Sequence, residues 1–266
     1  MFDIKAQMKK YSINQKYVAE ISNRGKAEIS KIVNSSDDEV KLSLWEDIIK
    51  IENDKRLYKE LSDFYREFFS NNAEMEKFIV EKLGYRKSNI PRRMINNIQR
   101  LVTLSDDIEK IKNGRDCLRL FFLVVCIETL YKFANSTQKK LRMVIDFFQT
   151  YVAEDDKIFL LSNIRRDYDD CRYKPGEPFD DNIDLEIFAR IMYEVRSYFV
   201  HEGDYSSFHF AHNDIPELNH ISVKEKDGAQ KEEMMYSVSL KYADFRKICV
   251  NGLINYANQH FLKITQ

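Results

Sequence analysis

The segment Glu194-Val195-Arg196-Ser197-Tyr198-Phe199-Val200-His201-Glu202-Gly203 places an arginine and a histidine, four residues between them, at the end of an apolar helical pattern. Arginine stays protonated and holds phosphate oxygens, while histidine gains and loses a proton near neutrality. Together they are the minimal equipment for acid–base work on a phosphodiester, with the cation stabilising charge on a pentacoordinate phosphorus. The spacing alone specifies little, because such a pair arises by chance about once in a chain of this composition. The plain alternative is a surface histidine near a helix end and an arginine paired with Glu194 or Glu202.

Helical geometry constrains how the two side chains meet. At about 100° per residue, Arg196 lies about 60° from the apolar stripe of Leu185, Phe188, Met192, Val195 and Phe199, and His201 lies nearly opposite that stripe. The two are then about 140° apart and do not converge within one copy. Either the helix breaks at Gly203 and re-aims the histidine, or a second copy sets its own pair opposite across a two-fold axis. His201 falls in the last turn, where the helix dipole favours an imidazolium, and Ser197 one turn earlier is placed to hydrogen-bond the ring.

The elements that position these residues read as helices. Ser36 to Glu39 has capping-box spacing, so a helix starts near Asp38 and carries Leu42, Trp45, Ile48 and Ile49. Further helices carry Leu57, Leu61, Phe64, Tyr65 and Phe68, then Met75, Phe78, Ile79 and Lys82, ending near Gly84. Pro91 suits the first turn of the next. The stretch Tyr85 to Arg93 is the most basic local patch and reads as a solvated loop able to touch a phosphate backbone. Asn113-Gly114 marks a boundary between an amino-terminal helical region, 1–112, and a carboxy-terminal helical domain, 113–266.

From Arg115 the pattern Leu118, Phe121, Phe122, Val124, Val125, Ile127, Leu130 is apolar on nearly every side and predicts a central helix. Glu128 sits inside that run, so it must be paired, hydrogen-bonded or protonated, as an anchor for an arginine or as a functional carboxylate. A helix follows over Leu141 to Tyr151, another over Ile158 to Ile164, then a polar loop from Asp167 to Asn182 long enough to be mobile or a lid. Asp184 caps the helix bearing Arg196 and His201. Ile221 to Val223 and the alternating Met234, Tyr236, Val238, Leu240 flank Asp227-Gly228 and predict one β-hairpin before a last helix bearing Phe245, Ile248, Leu253 and Tyr256.

Composition narrows the function classes. Only seven glycines and four prolines beside 44% apolar residues point to a mainly α globular protein. A formal net charge of −1 leaves nucleic-acid binding to local patches. Cys117, Cys126, Cys171 and Cys249 have no ligand or redox spacing and read as free thiols of a cytoplasmic protein; no secretory or membrane-spanning run is present. His201, His209, His212 and His220 cluster with Asp204 and Asp214, but their spacing matches no metal motif. No phosphate-cradling glycine loop, serine elbow or repeat occurs. Neither a cofactor nor a metal is therefore expected.

From Arg115 onward the chain resembles the HEPN superfamily, in its abortive-infection and Apea-like form. The likeness rests on Leu118 to Leu130, on Leu141 to Phe148 continuing through Leu160-Leu161, and on Val195 to Gly203. It implies a dimerising bundle of four or five helices, with one β-hairpin inserted here and arginine and histidine of both copies in a shared cleft. It further implies metal-independent RNA cleavage by 2′-hydroxyl attack, leaving a cyclic phosphate, in bacterial stress or antiviral defence. On that reading His201 is the acid or base, Arg196 holds the phosphate, and Glu128 orients either. Ser197 stands where such nucleases often carry an amide or acid, and Gly203 where members modified by a partner nucleotidyltransferase carry tyrosine. The expected partners are RNA, a second copy of the chain and a regulatory protein, with the amino-terminal helices sensing a trigger that releases the activity. The alternative, also found in this superfamily, is a non-catalytic helical module that binds a protein or a nucleotide.

Overall fold

The computed structural model describes residues 2–167, 182–203, 208–224 and 231–266; the Asp167 to Asn182 loop, apart from its ends, and the Asp227-Gly228 turn lie outside them. Among the described residues the protein is mainly α, with one three-stranded antiparallel sheet. The chain divides into two compact units, residues 1–64 and 65–266.

The first unit holds α1 (Ile4–Lys10), α2 (Gln15–Ser22), α3 (Lys26–Val33) and nearly all of α4 (Asp38–Tyr65). Its core joins Ile4, Met8, Val18, Ile29, Val33, Leu44 and Ile48. The two predicted helices are one continuous α4 as far as Tyr65, since no glycine or proline interrupts them, and Phe68 falls in a short 3-10 turn that follows, Arg66–Phe68. Its start is as expected near Asp38, but Asp37 supplies the cap: its Oδ1 accepts from the amides of Glu39 and Val40 at 2.9 and 3.3 Å.

The second unit contains α5 (Asn72–Gly84), α6 (Ile90–Ile111), α7 (Asp116–Phe133), α8 (Lys140–Thr150), α9 (Glu154–Ser162), β1 (Ile164–Arg166), α10 (Leu185–Glu202), β2 (Glu217–Lys224), β3 (Lys231–Val238) and α11 (Tyr242–Thr265). Helix α7 is central as its all-round apolarity predicts, packing against α6, α8, α10 and α11. Asn113-Gly114 lies within this unit and turns α6 back onto α7, Gly114 taking the left-handed conformation at φ 73°. The antiparallel pairing is tied by Ser105, whose hydroxyl donates to Arg119 O at 2.7 Å.

The predicted hairpin is β2 and β3, in register from Glu217↔Val238 to Lys224↔Lys231. A third strand corrects the expected helix over Ile158 to Ile164: α9 stops at Ser162, and Ile164 pairs with Val238 in β1. The apolar spacing that suggested a longer helix is the buried end of a three-residue strand. The segment before β2 is clipped to the start of α7, where Asp116 Oδ2 accepts from Phe210 N at 3.0 Å and Cys117 Sγ accepts from Phe208 N at 3.1 Å. Helix α10 packs on α7 and α8 and touches β2, which fixes the face that Arg196 presents.

Candidate functional site

Helix α10 starts as its sequence dictates. The Asp184 carboxylate accepts from Ile187 N at 2.8 Å, and Phe188, Met192 and Val195 are fully buried. That apolar face turns Arg196 inward, where it is 6% exposed, against Glu128 of α7, which is 3% exposed. Arg196 Nη2 donates to Glu128 Oε2 at 3.0 Å, and Nε lies 2.9 Å from Oε1. The second contact is Coulombic, because the Nε–H is not aimed at the oxygen and neither atom makes a hydrogen bond. The guanidinium also lies 5.9 Å from the Tyr193 ring centroid.

Burial explains why this pair forms. A carboxylate in the most apolar helix of the core requires a partner or a proton, and the buried flank of α10 supplies a cation. Among the described residues the partner of Arg196 is thus Glu128, on a different helix. A second cation, Lys140 at the start of α8, sits 3.7 Å from Glu128 Oε2 and is 43% exposed. It links the buried pair to the surface, and no local spacing in the sequence pointed to it.

His201 is exposed, one turn beyond Ser197, and α10 runs unbroken through it to Glu202. Gly203 adopts the left-handed conformation at φ 65°, but it ends the helix after the histidine and does not re-aim it. Of the two routes by which Arg196 and His201 meet, the helix break is therefore excluded. Ser197 is half-buried and makes no side-chain hydrogen bond among the described residues, to His201 or to any other group. The structure brings Glu128 and Arg196 together and leaves His201 on the solvent side of the same helix.

Two cavities surround other titratable groups. One, of about 410 Å³, is lined by Asp116, Arg119, His209, His212 and Tyr242, with the Arg119 guanidinium 3.3 Å from the Tyr242 ring centroid. The other, of about 430 Å³, lies among Tyr131, Asp146, Tyr151, Tyr256 and His260. There Tyr131 donates to Asp146 Oδ2 at 2.6 Å; burial, then the adjoining carboxylate, pushes its hydroxyl pKa up. Burial, with Lys263 beside it, lowers the His260 pKa. Neither cavity contains Arg196, His201 or Glu128. His260 and the tyrosines were missed in the sequence because they occupy ordinary core spacing on three separate helices.

No helix among the described residues is long and apolar enough to cross a membrane. No family model matches the chain, and no curated protein or solved structure matches it.

Proposed function

We propose that the chain is a metal-independent endoribonuclease of HEPN type whose site is completed by two copies of the protein. The observation that carries the reading is the Arg196–Glu128 pair, held rigidly beneath the same helix that presents His201 at its exposed end. A cation fixed by a carboxylate keeps one orientation, which suits a phosphate-holding role better than a mobile surface arginine does. The exposed His201, in the last turn of its helix, makes no ion pair or hydrogen bond among the described residues and would face what a second copy brings.

The chemistry this arrangement supports is transesterification. The 2′-hydroxyl oxygen forms a bond to the adjacent phosphorus as its proton passes to one His201 imidazole. The bond from phosphorus to the 5′-oxygen breaks, and the imidazolium of the other copy's His201 gives that oxygen a proton. The products are a 2′,3′-cyclic phosphate and a 5′-hydroxyl, and no electrons are exchanged. Arg196 stabilises the charge on the phosphoryl oxygens, Glu128 orients Arg196, and Ser197 faces the same cleft as a hydrogen-bonding group. A role in bacterial stress or antiviral defence within the cytoplasm, and control through the amino-terminal helices by a regulatory partner, extend the same reading.

The second reading is a non-catalytic helical module that binds a protein or a nucleotide. What favours it is the burial of Arg196, whose Nη2 is already committed to Glu128. Incubating RNA with the purified protein in EDTA and identifying the new ends separates the two. Cyclic phosphate ends that vanish in His201→Ala support the nuclease, and intact RNA in the presence of a folded dimer supports the module.

A further inference from the structure

Two stretches of the chain contain no aspartate or glutamate: 85–105, with Arg86, Lys87, Arg92, Arg93 and Arg100, and 129–145, with Lys132, Lys139, Lys140 and Arg142. Acids make up 43 of 266 residues, so runs of this length without one are uncommon in this chain. The fold brings the two together. Helices α6 and α7 are antiparallel, and the Arg93 guanidinium stacks 4.3 Å from the ring centroid of Phe133, so the start of α6 meets the end of α7 and the connection to α8.

All of these cations except Arg92 are exposed, and among the exposed ones only Lys140 is within ion-pair distance of a carboxylate among the described residues. Some surface cations elsewhere are paired within a helical turn, as in Arg56 with Glu60, Lys77 with Glu81 and Lys110 with Asp107, and others such as Lys9, Lys31 and Lys112 make no ion pair among the described residues, so it is the absence of acids that sets the two stretches apart. The solvent face of α6 repeats Arg93, Asn96, Asn97, Arg100 at helical spacing. Asn97 lies half-buried at the edge of that face, and its Nδ2 is shielded from solvent and makes no hydrogen bond among the described residues. Ser136, Thr137 and Gln138 add neutral hydrogen-bonding groups in the α7–α8 connection.

We infer that this end of the second unit is a docking surface for the backbone of single-stranded RNA, leading through Lys140 to the Glu128–Arg196 pair. A chain of net charge −1 has no global field for a polyanion, so a surface cleared of acids is what such binding requires. Neither stretch carries an exposed large hydrophobic residue before Leu104, so the patch lacks the apolar flank that seats a protein in a bilayer. The choice of RNA rests on the ribonuclease reading; the binding itself does not.

The test measures fluorescence anisotropy of a labelled 2′-O-methyl RNA 20-mer, which cannot be cleaved, across a salt series. For about four phosphates contacted, log K should fall with log salt at a slope of about −3. Arg93→Glu/Arg100→Glu/Lys139→Glu should weaken binding by at least about 30-fold at 0.1 M salt and reduce the slope by about 2. The milder Arg93→Gln/Arg100→Gln/Lys139→Gln, which keeps polar side chains over Phe133, should move both quantities in the same direction by less; circular dichroism checks both folds. Lys77→Glu/Arg56→Glu should bind as the wild type does. Wild-type binding by both triple variants overturns the inference, as does a wild-type protein that binds vesicles containing anionic lipid and not the oligonucleotide. Unmodified RNA of the same sequence that is bound through this patch but never cleaved refutes the ribonuclease reading and leaves the docking surface standing.

Discussion

Replacing Glu128 with glutamine removes the charge that Arg196 was buried against while keeping the shape of the side chain. Stripping one partner from a buried ion pair costs about 3–5 kcal/mol, because the remaining charge stays out of water unpaired. The glutamine oxygen can still accept the Nη2–H that Glu128 Oε2 accepts at 3.0 Å, which returns about 1 kcal/mol and leaves a net loss of about 2–4. The exposed Lys140 at 3.7 Å adds little, as its attraction is screened by solvent. For a unit of about 200 residues this corresponds to a fall in Tm of about 5–15 °C, read by circular dichroism or calorimetry. Replacing both partners with apolar residues, Glu128→Leu/Arg196→Met, should restore stability to within about 1 kcal/mol of the wild type. A Glu128→Gln protein that melts within about 2 °C of the wild type, a change of about 0.5–1 kcal/mol, would refute the claim that the pair is desolvated. The double variant also separates folding from chemistry, since it is expected to be folded and unable to hold phosphate.

Three further outcomes follow from other positions. Lys82 is 1% exposed, with its ammonium 4.1 Å from the Phe78 ring centroid and 4.9 Å from that of Phe261, and burial lowers its pKa from 10.5 to about 8. Its folded-state pKa lies below the unfolded one, so stability rises with pH between about 8 and 10.5 and the penalty is fully present below 8. Lys82→Met should therefore stabilise at pH 7 by about 1–3 kcal/mol, the upper end set by about 1.4 kcal/mol per pH unit and the lower by lost cation–π attraction, with the gain shrinking towards pH 10 in denaturant titrations. A β-carbon on Gly252 would lie 2.7 Å from Cζ of Phe147, a fully buried ring, so Gly252→Val should destabilise by about 1–3 kcal/mol in the same titrations. His201→Ala removes an exposed side chain and should leave Tm within about 1 °C of the wild type, because surface changes are worth about 0.5 kcal/mol or less.

What was legible in the sequence follows from whether the physical cause is local. Asp184 and the spacing of Phe188, Met192 and Val195 sufficed to place α10, since a cap and an apolar stripe act within a few residues. Glu128 was readable as a buried carboxylate in need of a partner, but its partner on α10 depended on how α10 packs against α7. Ile164 looked helical because β1 is only three residues long, too short to show alternation, and it is a strand only by virtue of Val238. Lys82 read as the end of an amphipathic stripe; its enclosure depends on Phe261 at the far end of the chain. The acid-free runs were visible as composition, whereas their meeting needed the α6–α7 hairpin. The placement of Arg196 and His201 on different faces was derivable from helical geometry, and the unbroken α10 removes the one local device that might have joined them.

The central claim is tested most directly by the ends left on RNA after incubation with the wild-type protein in EDTA, beside His201→Ala and the folded Glu128→Leu/Arg196→Met double variant. The account predicts 2′,3′-cyclic phosphate and 5′-hydroxyl ends from the wild type, a loss of at least about 100-fold in rate for His201→Ala at unchanged Tm, and no cleavage by the double variant. Intact RNA with a dimeric wild-type protein, or cleavage by His201→Ala at the wild-type rate, would contradict it.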